Sequence, residues 1–279
     1  MKLIHTVSDL QYELQKSGPD NSLGFVPTMG ALHQGHLSLV RQAVAENGVS
    51  VVSIFVNPTQ FNDPKDLERY PRTLEADLKM LEPTGCSLVF APSVKEVYPE
   101  PDTRKFNFGK LETVMEGKFR PGHFNGVAQV VSRLFDLVNP DKAYFGLKDF
   151  QQLAVIKNMV KQLQLPIEIV PCAIVREESG LAMSSRNELL TAEQKVNAAI
   201  ISETLFSAKE LIGQKTVHET ADWVVAEINK NPFLDVEYFE IVDDEQLQPV
   251  KSWKHKGTKV GCIAVFCGKT RLIDNVVFN

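Results

Sequence analysis

The sequence predicts an α/β fold: a Rossmann-like parallel-sheet domain followed by a smaller α+β C-terminal domain. Three observations carry that expectation. Short apolar runs alternate with helix-period segments through the first part of the chain. That alternation stops near Val175. Beyond it come two helix patterns and then three period-two runs. We therefore expect one domain over residues 1–175 and a second over 176–279. No low-complexity linker or internal repeat separates them.

The strands expected in the first domain are Leu23–Val26, Val49–Val56, Leu88–Phe90, Lys142–Phe145 and Ile167–Val170. Their apolar character suits strands covered on both faces of a parallel sheet. A helix is expected over Pro64–Leu81, with Asp63 as N-cap and Pro64 at the first helical position. Two more are expected over Gly126–Val138 and Asp149–Leu163. In the second domain, Thr191 is placed to cap a long helix reaching Ile212, and a further helix spans Val217–Ile228. The runs Val236–Val242, Lys259–Phe266 and Arg271–Val277 alternate like half-buried strands.

The chain has 279 residues, a net charge of −5 and ordinary hydrophobic (43%) and charged (23%) fractions. An acidic balance argues against a general nucleic-acid binder. The opening residues carry no signal peptide, and the longest apolar stretch is too short to span a bilayer, so a cytoplasmic location is expected. Cys86, Cys172, Cys262 and Cys267 lack CxxC spacing and read as reduced thiols packed as small hydrophobes.

Ligands of parallel α/β sheets bind beyond the carboxyl ends of the strands. Three segments fall there: Thr28–His36, Asn57–Phe61 and Gly146–Asp149. The first is the most informative. His33-Gln34-Gly35-His36 opens a helix pattern just after a strand and a small turn, Thr28-Met29-Gly30-Ala31. A helix N-terminus attracts phosphate through its N–H groups and dipole. Glycines let a nucleotide approach the backbone. The same imidazole pair also suits a helix cap or metal ligation, although no third ligand with metal spacing follows.

Other candidates are read alongside their ordinary roles. Lys148 can reach a phosphate or stay a solvated lysine, and Asp149 suits a helix N-cap. Met183-Ser184-Ser185-Arg186 offers hydroxyls and a guanidinium to phosphate oxygens, or forms a polar loop. Gln60 and Gln152 both donate and accept, which suits a hydroxyl-rich carboxylate substrate, or are inert surface glutamines. His123 reads as structural. Asp77 reads as an exposed helix aspartate, with magnesium ligation the minority role.

Seven segments in order resemble the pantothenate synthetase (pantoate–β-alanine ligase) family, a branch of the HxGH nucleotidyltransferase-like superfamily. They are Pro27–His36, Phe55–Phe61, Tyr70–Thr73, Arg120–Phe124, Lys148–Gln152, Ser184–Asn187 and Arg271–Asn275. The resemblance covers essentially the whole chain. It implies ATP with Mg²⁺, (R)-pantoate and β-alanine as ligands, a pantoyl adenylate intermediate, a C-terminal lid that closes over the first domain, and a homodimer. It also implies residue roles. Met29, Gly30, Ala31, Leu32, His33, Gln34, Gly35 and His36 hold ATP, with His36 the proton donor. Gly146, Leu147, Lys148, Asp149, Val175, Met183, Ser184, Ser185 and Arg186 complete the ATP site. Gln60 and Gln152 hold pantoate, and Gln60 also touches β-alanine. His33, His36, Lys148 and Arg186 are the donors available to charge developing on phosphorus. The magnesium ligands are left open. Leu147 stands where many relatives carry Glu, so only a backbone contact is expected there. Another HxGH adenylyltransferase and a nucleotide-binding sensor without turnover are the rival readings.

Overall fold

A computed structural model of the chain describes residues 1–18, 21–60, 67–68 and 70–278. These residues form two compact units. The first comprises Met1–Phe108, Arg120–Leu147 and Val155–Ala173; the second comprises Gly109–Phe119, Lys148–Ala154 and Ile174–Asn279.

The first unit is built on a parallel sheet. Its strands are β1 (Lys2–Ile4), β2 (Leu23–Thr28), β3 (Val49–Ile54), β4 (Leu88–Phe90), β5 (Lys142–Gly146) and β6 (Glu168–Cys172), in the spatial order β1-β4-β3-β2-β5-β6. From β2 the chain builds outward through β3 and β4 on one side, and later adds β5 and β6 on the other. The direction of building reverses between β2 and β5, which is the topological switch point of such sheets. Thr28 ends one of these two strands and Gly146 ends the other.

Both faces are covered, as the apolar strands require. On one face, Leu37, Val40 and Ala43 of α2 (Gln34–Glu46) pack with Val26, Val52, Val89, Tyr144 and Val170. Neighbouring strand residues point the other way. On that side, Phe25 and Phe145 meet Phe135 of the helix His123–Val138 edge-on, with centroids 6.2 and 6.5 Å apart.

Several expectations are corrected. Strand β1 and α1 (Val7–Lys16, capped by Thr6) were not expected from the sequence. The long helix expected from Pro64 to Leu81 is not continuous. Asp63 and Pro64 lie outside the described residues, residues 70–73 are not helical, and α3 spans Leu74–Leu81. Pro71 supplies the reason: it lacks an N–H and disfavours helical backbone at Tyr70. The helix expected from Gly126 starts earlier, so α4 spans His123–Val138, with Gly122 at its N-cap at φ 80°. A 3₁₀ turn, Leu147–Asp149, precedes α5 (Phe150–Gln162).

The second unit holds an antiparallel sheet of β7 (Leu234–Asp243), β8 (Lys259–Cys267) and β9 (Thr270–Phe278), in that spatial order. The helix expected to run from Thr191 to Ile212 is shorter: α6 spans Ala192–Ser207 and a 3₁₀ turn continues to Leu211. Its start is as expected, with Thr191 and Gln194 forming a reciprocal capping box. Helix α7 spans Val217–Ile228 with a second box from Thr216 and Glu219. Both helices bury Ile201, Leu205, Val224 and Ile228 against Phe239, Ile263, Val265 and Leu272. Strand β8 is buried along both faces, against the expected half-buried alternation. It is the central strand and has a neighbour on each side.

Cys86, Cys172, Cys262 and Cys267 are all free and buried. Burial pushes each thiol up; Cys172 rises to about 11, with Glu46 adding to the effect. Thiolates are the reactive form. A native-state assay with a chromogenic disulfide should therefore titrate less than about one thiol per chain at neutral pH, against all four in urea. Rapid native labelling of any one would contradict this packing. Among the described residues, no helix is long and apolar enough to cross a membrane.

Candidate active site

The strand-to-helix turn after β2 is held by side chains rather than left open. His33 is the N-cap of α2, and its Nδ1 accepts the Gly35 N–H at 3.1 Å. His36 Nδ1 accepts the His33 N–H at 3.3 Å, which completes a reciprocal cap. Of the roles the sequence left open for this pair, the cap is present in the structure. Because each Nδ1 accepts, the neutral ring carries its proton on Nε2. Both imidazoles are thus fixed as Nε2 donors, with their centroids 4.0 Å apart.

The turn itself is unusual backbone. Gly30 has φ 81° and Ala31 has φ 50°, the left-handed region that non-glycine residues rarely enter. Asp77 holds it there. One carboxylate oxygen accepts the Leu32 N–H at 2.8 Å and the other the Ala31 N–H at 3.1 Å. The Thr73 hydroxyl donates to the same carboxylate at 3.3 Å. Asp77 is 1% exposed, so the expectation of an exposed aspartate is corrected. Its oxygens serve the backbone of the turn, which leaves little for magnesium. Sequence reading missed this role, although a signal existed. Asp77 shares the i, i+3, i+4, i+7 face of α3 with Leu74, Leu78 and Leu81, where a charge breaks the apolar pattern.

Gln60 ends the 3₁₀ turn Pro58–Gln60 after β3. Asn57, fully buried, anchors that turn. Its oxygen accepts from the Thr59 N–H at 3.4 Å and the Tyr98 hydroxyl at 3.2 Å, and its amide donates to the Gly126 carbonyl at 3.3 Å. Buried His123 places Nδ1 3.3 Å from the Gln60 carbonyl, which can only accept, so here Nδ1 carries the proton. A Cβ at Gly126 would lie 2.5 Å from the Thr59 carbonyl oxygen, so glycine is what lets α4 approach this turn. His123 is structural, as the sequence suggested. Phe61 lies outside the described residues. Gly146 ends β5 and Leu147 follows it, across the switch point from the turn after β2.

The second unit carries the remaining expected residues. The carbonyl of Lys148 accepts the Asn275 side-chain amide at 3.0 Å. Asp149 closes the 3₁₀ turn before α5. Gln152 is half-buried on α5. Its neighbour Gln151 is buried and structural: it accepts the Glu116 N–H at 2.9 Å and donates to the carbonyls of Leu111 and Val114 at 2.7 and 2.9 Å. Val175 and Met183 are brought together, the Met183 N–H donating to the Val175 carbonyl at 2.9 Å. Ser184 caps the 3₁₀ turn Ser185–Leu189 and accepts the Arg186 N–H at 3.3 Å.

The family model for pantoate-beta-alanine ligase matches residues 2–277. The chain belongs to the pantoate–β-alanine ligase family. It is 58% identical to the pantothenate synthetase of Bacteroides thetaiotaomicron, over 100% of this chain and 99% of that one. It is 48% identical to the pantothenate synthetase of Caldicellulosiruptor saccharolyticus, over 98% and 97% of the two chains. The crystal structure of pantothenate synthetase from Thermus thermophilus superposes with a TM-score of 0.92 at 43% identity, covering 99% of each chain. The pantoate–β-alanine ligase of Francisella tularensis, solved in complex with beta-gamma ATP and β-alanine, gives 0.83 at 34% identity over 99% and 97%.

Proposed function

We infer that this member of the pantoate–β-alanine ligase family joins (R)-pantoate to β-alanine with ATP, giving pantothenate, AMP and pyrophosphate. The observation that carries the reading is the histidine cap. Two Nε2 donors are fixed at the carboxyl end of β2, beside the switch point, in a chain matched along nearly its whole length by that family. Carboxylate activation concentrates negative charge on the α-phosphorus and on the departing pyrophosphate. Donors fixed in advance stabilise that charge more than the ground state.

In this reading a pantoate carboxylate oxygen attacks the α-phosphorus and the bond to pyrophosphate breaks. The β-alanine nitrogen then attacks the acyl carbon, AMP departs with the bridging oxygen, and the amine loses a proton. His36 and His33, with Lys148 and Arg186, act on the phosphates. Met29–Gly35, Gly146–Asp149, Val175 and Met183–Ser185 line the nucleotide, and Gln60 and Gln152 hold pantoate. No cysteine takes part. Residues 1–175 serve as the ATP- and pantoate-binding domain and 176–279 as the lid. A cytoplasmic homodimer belongs to the same proposal and rests on the family resemblance.

Magnesium fits as a passenger of the nucleotide. Mg²⁺ typically takes one or two carboxylates plus substrate phosphates rather than a protein cage. Among the described residues there is no group of three or more His, Cys, Asp or Glu that could hold a metal ion. Asp149 is the one carboxylate among the residues assigned to ATP. The ion would neutralise phosphate charge, and the side chains above would orient the reactants.

With ATP, Mg²⁺ and pantoate but no amine, the enzyme should release about one pyrophosphate per site and stall, because a bound adenylate shielded from water persists. Adding β-alanine should restart turnover and release AMP in step with amide. Rapid-quench sampling with labelled ATP measures both phases. Pyrophosphate that appears only after β-alanine, with no pantoate-dependent exchange into ATP, would rule out the adenylate. Turnover only with a phosphate-bearing acceptor would favour another adenylyltransferase, and no pyrophosphate at all would favour a sensor.

A further inference from the structure

Strand β9 carries a charge where the sheet pattern calls for an apolar residue. Leu272, Val276 and Phe278 point into the core shared with α6 and α7. Asp274 has the same parity and therefore the same face. It is 5% exposed. A buried carboxylate is costly unless it is paired and fully hydrogen-bonded. Asp274 is both. Arg176 grips it with two guanidinium nitrogens, at 2.6 and 3.0 Å, and the Asn275 N–H donates to it at 2.8 Å. The Arg176 guanidinium also lies over the Phe206 ring of α6, 4.9 Å from its centroid, and donates to the Gly180 carbonyl at 3.1 Å.

Arg176 stands at the base of a folded-back loop. Arg176 bridges Ala182 antiparallel, the Glu177 N–H bonds the Leu181 carbonyl at 2.9 Å, and Gly180 turns the chain at φ 87°. Asn187 closes the far side, donating to Glu177 at 2.6 Å and to the Ala182 carbonyl at 3.1 Å. What this frame presents is Met183-Ser184-Ser185-Arg186. The next residue on β9 acts similarly on another segment, since Asn275 holds the Lys148 carbonyl. A polar pattern that breaks the apolar face of a strand at this point fits placement of a functional loop better than core stability.

We propose that Asp274 is a positioning residue for the nucleotide: through the Arg176 fork it fixes the loop bearing Met183, Ser184, Ser185 and Arg186. The proposal rests on the reading that this loop contacts ATP. The bidentate pair sets both the distance and the rotation of the loop base, which a single hydrogen bond would not.

The test is ATP–pyrophosphate exchange at saturating pantoate, with thermal melting alongside. Asp274→Asn keeps the shape but removes the charge that orients the fork. It should raise the KM for ATP about tenfold or more, as expected for loss of a hydrogen bond to a charged group. The KM for pantoate, measured by varying pantoate at saturating ATP, should change far less. Arg176→Lys keeps a paired charge without the fork. It should raise the ATP KM by a smaller factor, and it serves as the readout if Asp274→Asn does not fold. In an Arg186→Ala background the Asp274→Asn effect on ATP should largely disappear, because the residue it positions is gone. Full multiplication of the two effects, or an unchanged ATP KM in both folded variants, overturns the positioning role alone. If Arg186→Ala itself leaves ATP use unchanged, the assignment of this loop to ATP fails, and the proposal with it.

Discussion

Replacing His36 with alanine should lower pantoate-dependent pyrophosphate release by about 10²–10³, the usual cost of one positioned donor to developing charge. The structure makes the expectation sharper, because the proposed role of His36 and its observed cap use different nitrogens. Its Nδ1 accepts the His33 N–H and completes the cap of α2. Its Nε2 carries the ring proton, and in the proposed function that is the position that acts on phosphate. Loss of the cap alone should cost roughly 0.5–2 kcal/mol of stability. Asparagine and glutamine separate the roles by reach. The His36→Asn oxygen can replace Nδ1, so the melting temperature should stay near that of the parent while the rate collapses. The His36→Gln amide reaches toward the Nε2 position, so it should keep more rate and less stability. Pyrophosphate release and thermal melting on the three variants measure both quantities. Wild-type rates in a well-folded His36→Asn protein would remove His36 from the chemistry.

Replacing Arg271 with methionine should have the largest effect on stability. Arg271 lies between two carboxylates, buried Glu116 and half-buried Glu237, donating to Glu237 at 2.6 Å and to Glu116 at 2.5 and 2.9 Å. Tyr238 adds its hydroxyl to Glu116 at 2.9 Å. Burial disfavours the guanidinium charge, but the hydrogen bonds and charges of Glu116 and Glu237 outweigh it and hold its pKa above the ordinary arginine range. For Tyr238, burial and then the Glu116 charge push the phenol in the same upward direction. Removing the cation strands two carboxylates in a site that hydrates them poorly. Breaking such a pair from one side typically costs about 3–5 kcal/mol. Neutralising the partners as well, in Arg271→Met/Glu116→Gln/Glu237→Gln, should recover most of the loss. Urea denaturation followed by circular dichroism measures the difference. A single variant within about 1 kcal/mol of the parent, the value of an exposed pair, would mean that these groups stay hydrated.

The readability of this chain divides along one physical line. Thr191, the helix Val217–Ile228 and the three strand runs of the second unit were legible because a cap, a helix period or a short strand is decided by residues a few positions apart. The HxGH turn was legible as a place, since a strand end, glycines and a helix start follow one another directly. The break at Pro71 was written in the sequence too, but the apolar spacing on either side of it reads as one helix. Strand β1 is only Lys2–Ile4 and owes its existence to pairing with Leu88–Phe90, more than eighty residues away in sequence.

What the sequence by itself determined is therefore the fold class, the family, and the set of segments that fall at strand ends. What tertiary structure alone decided is how those segments are held. Asp77 reaches from α3 to the Ala31 and Leu32 amides, Asn57 and His123 fix the Gln60 turn, and Asp274 grips Arg176 across ninety-eight positions. In each case a polar side chain is buried, and a buried polar side chain needs a partner. The partner lies far along the chain, so local pattern shows at most the anomaly, a charge on an apolar face, and only the folded structure shows what that charge holds.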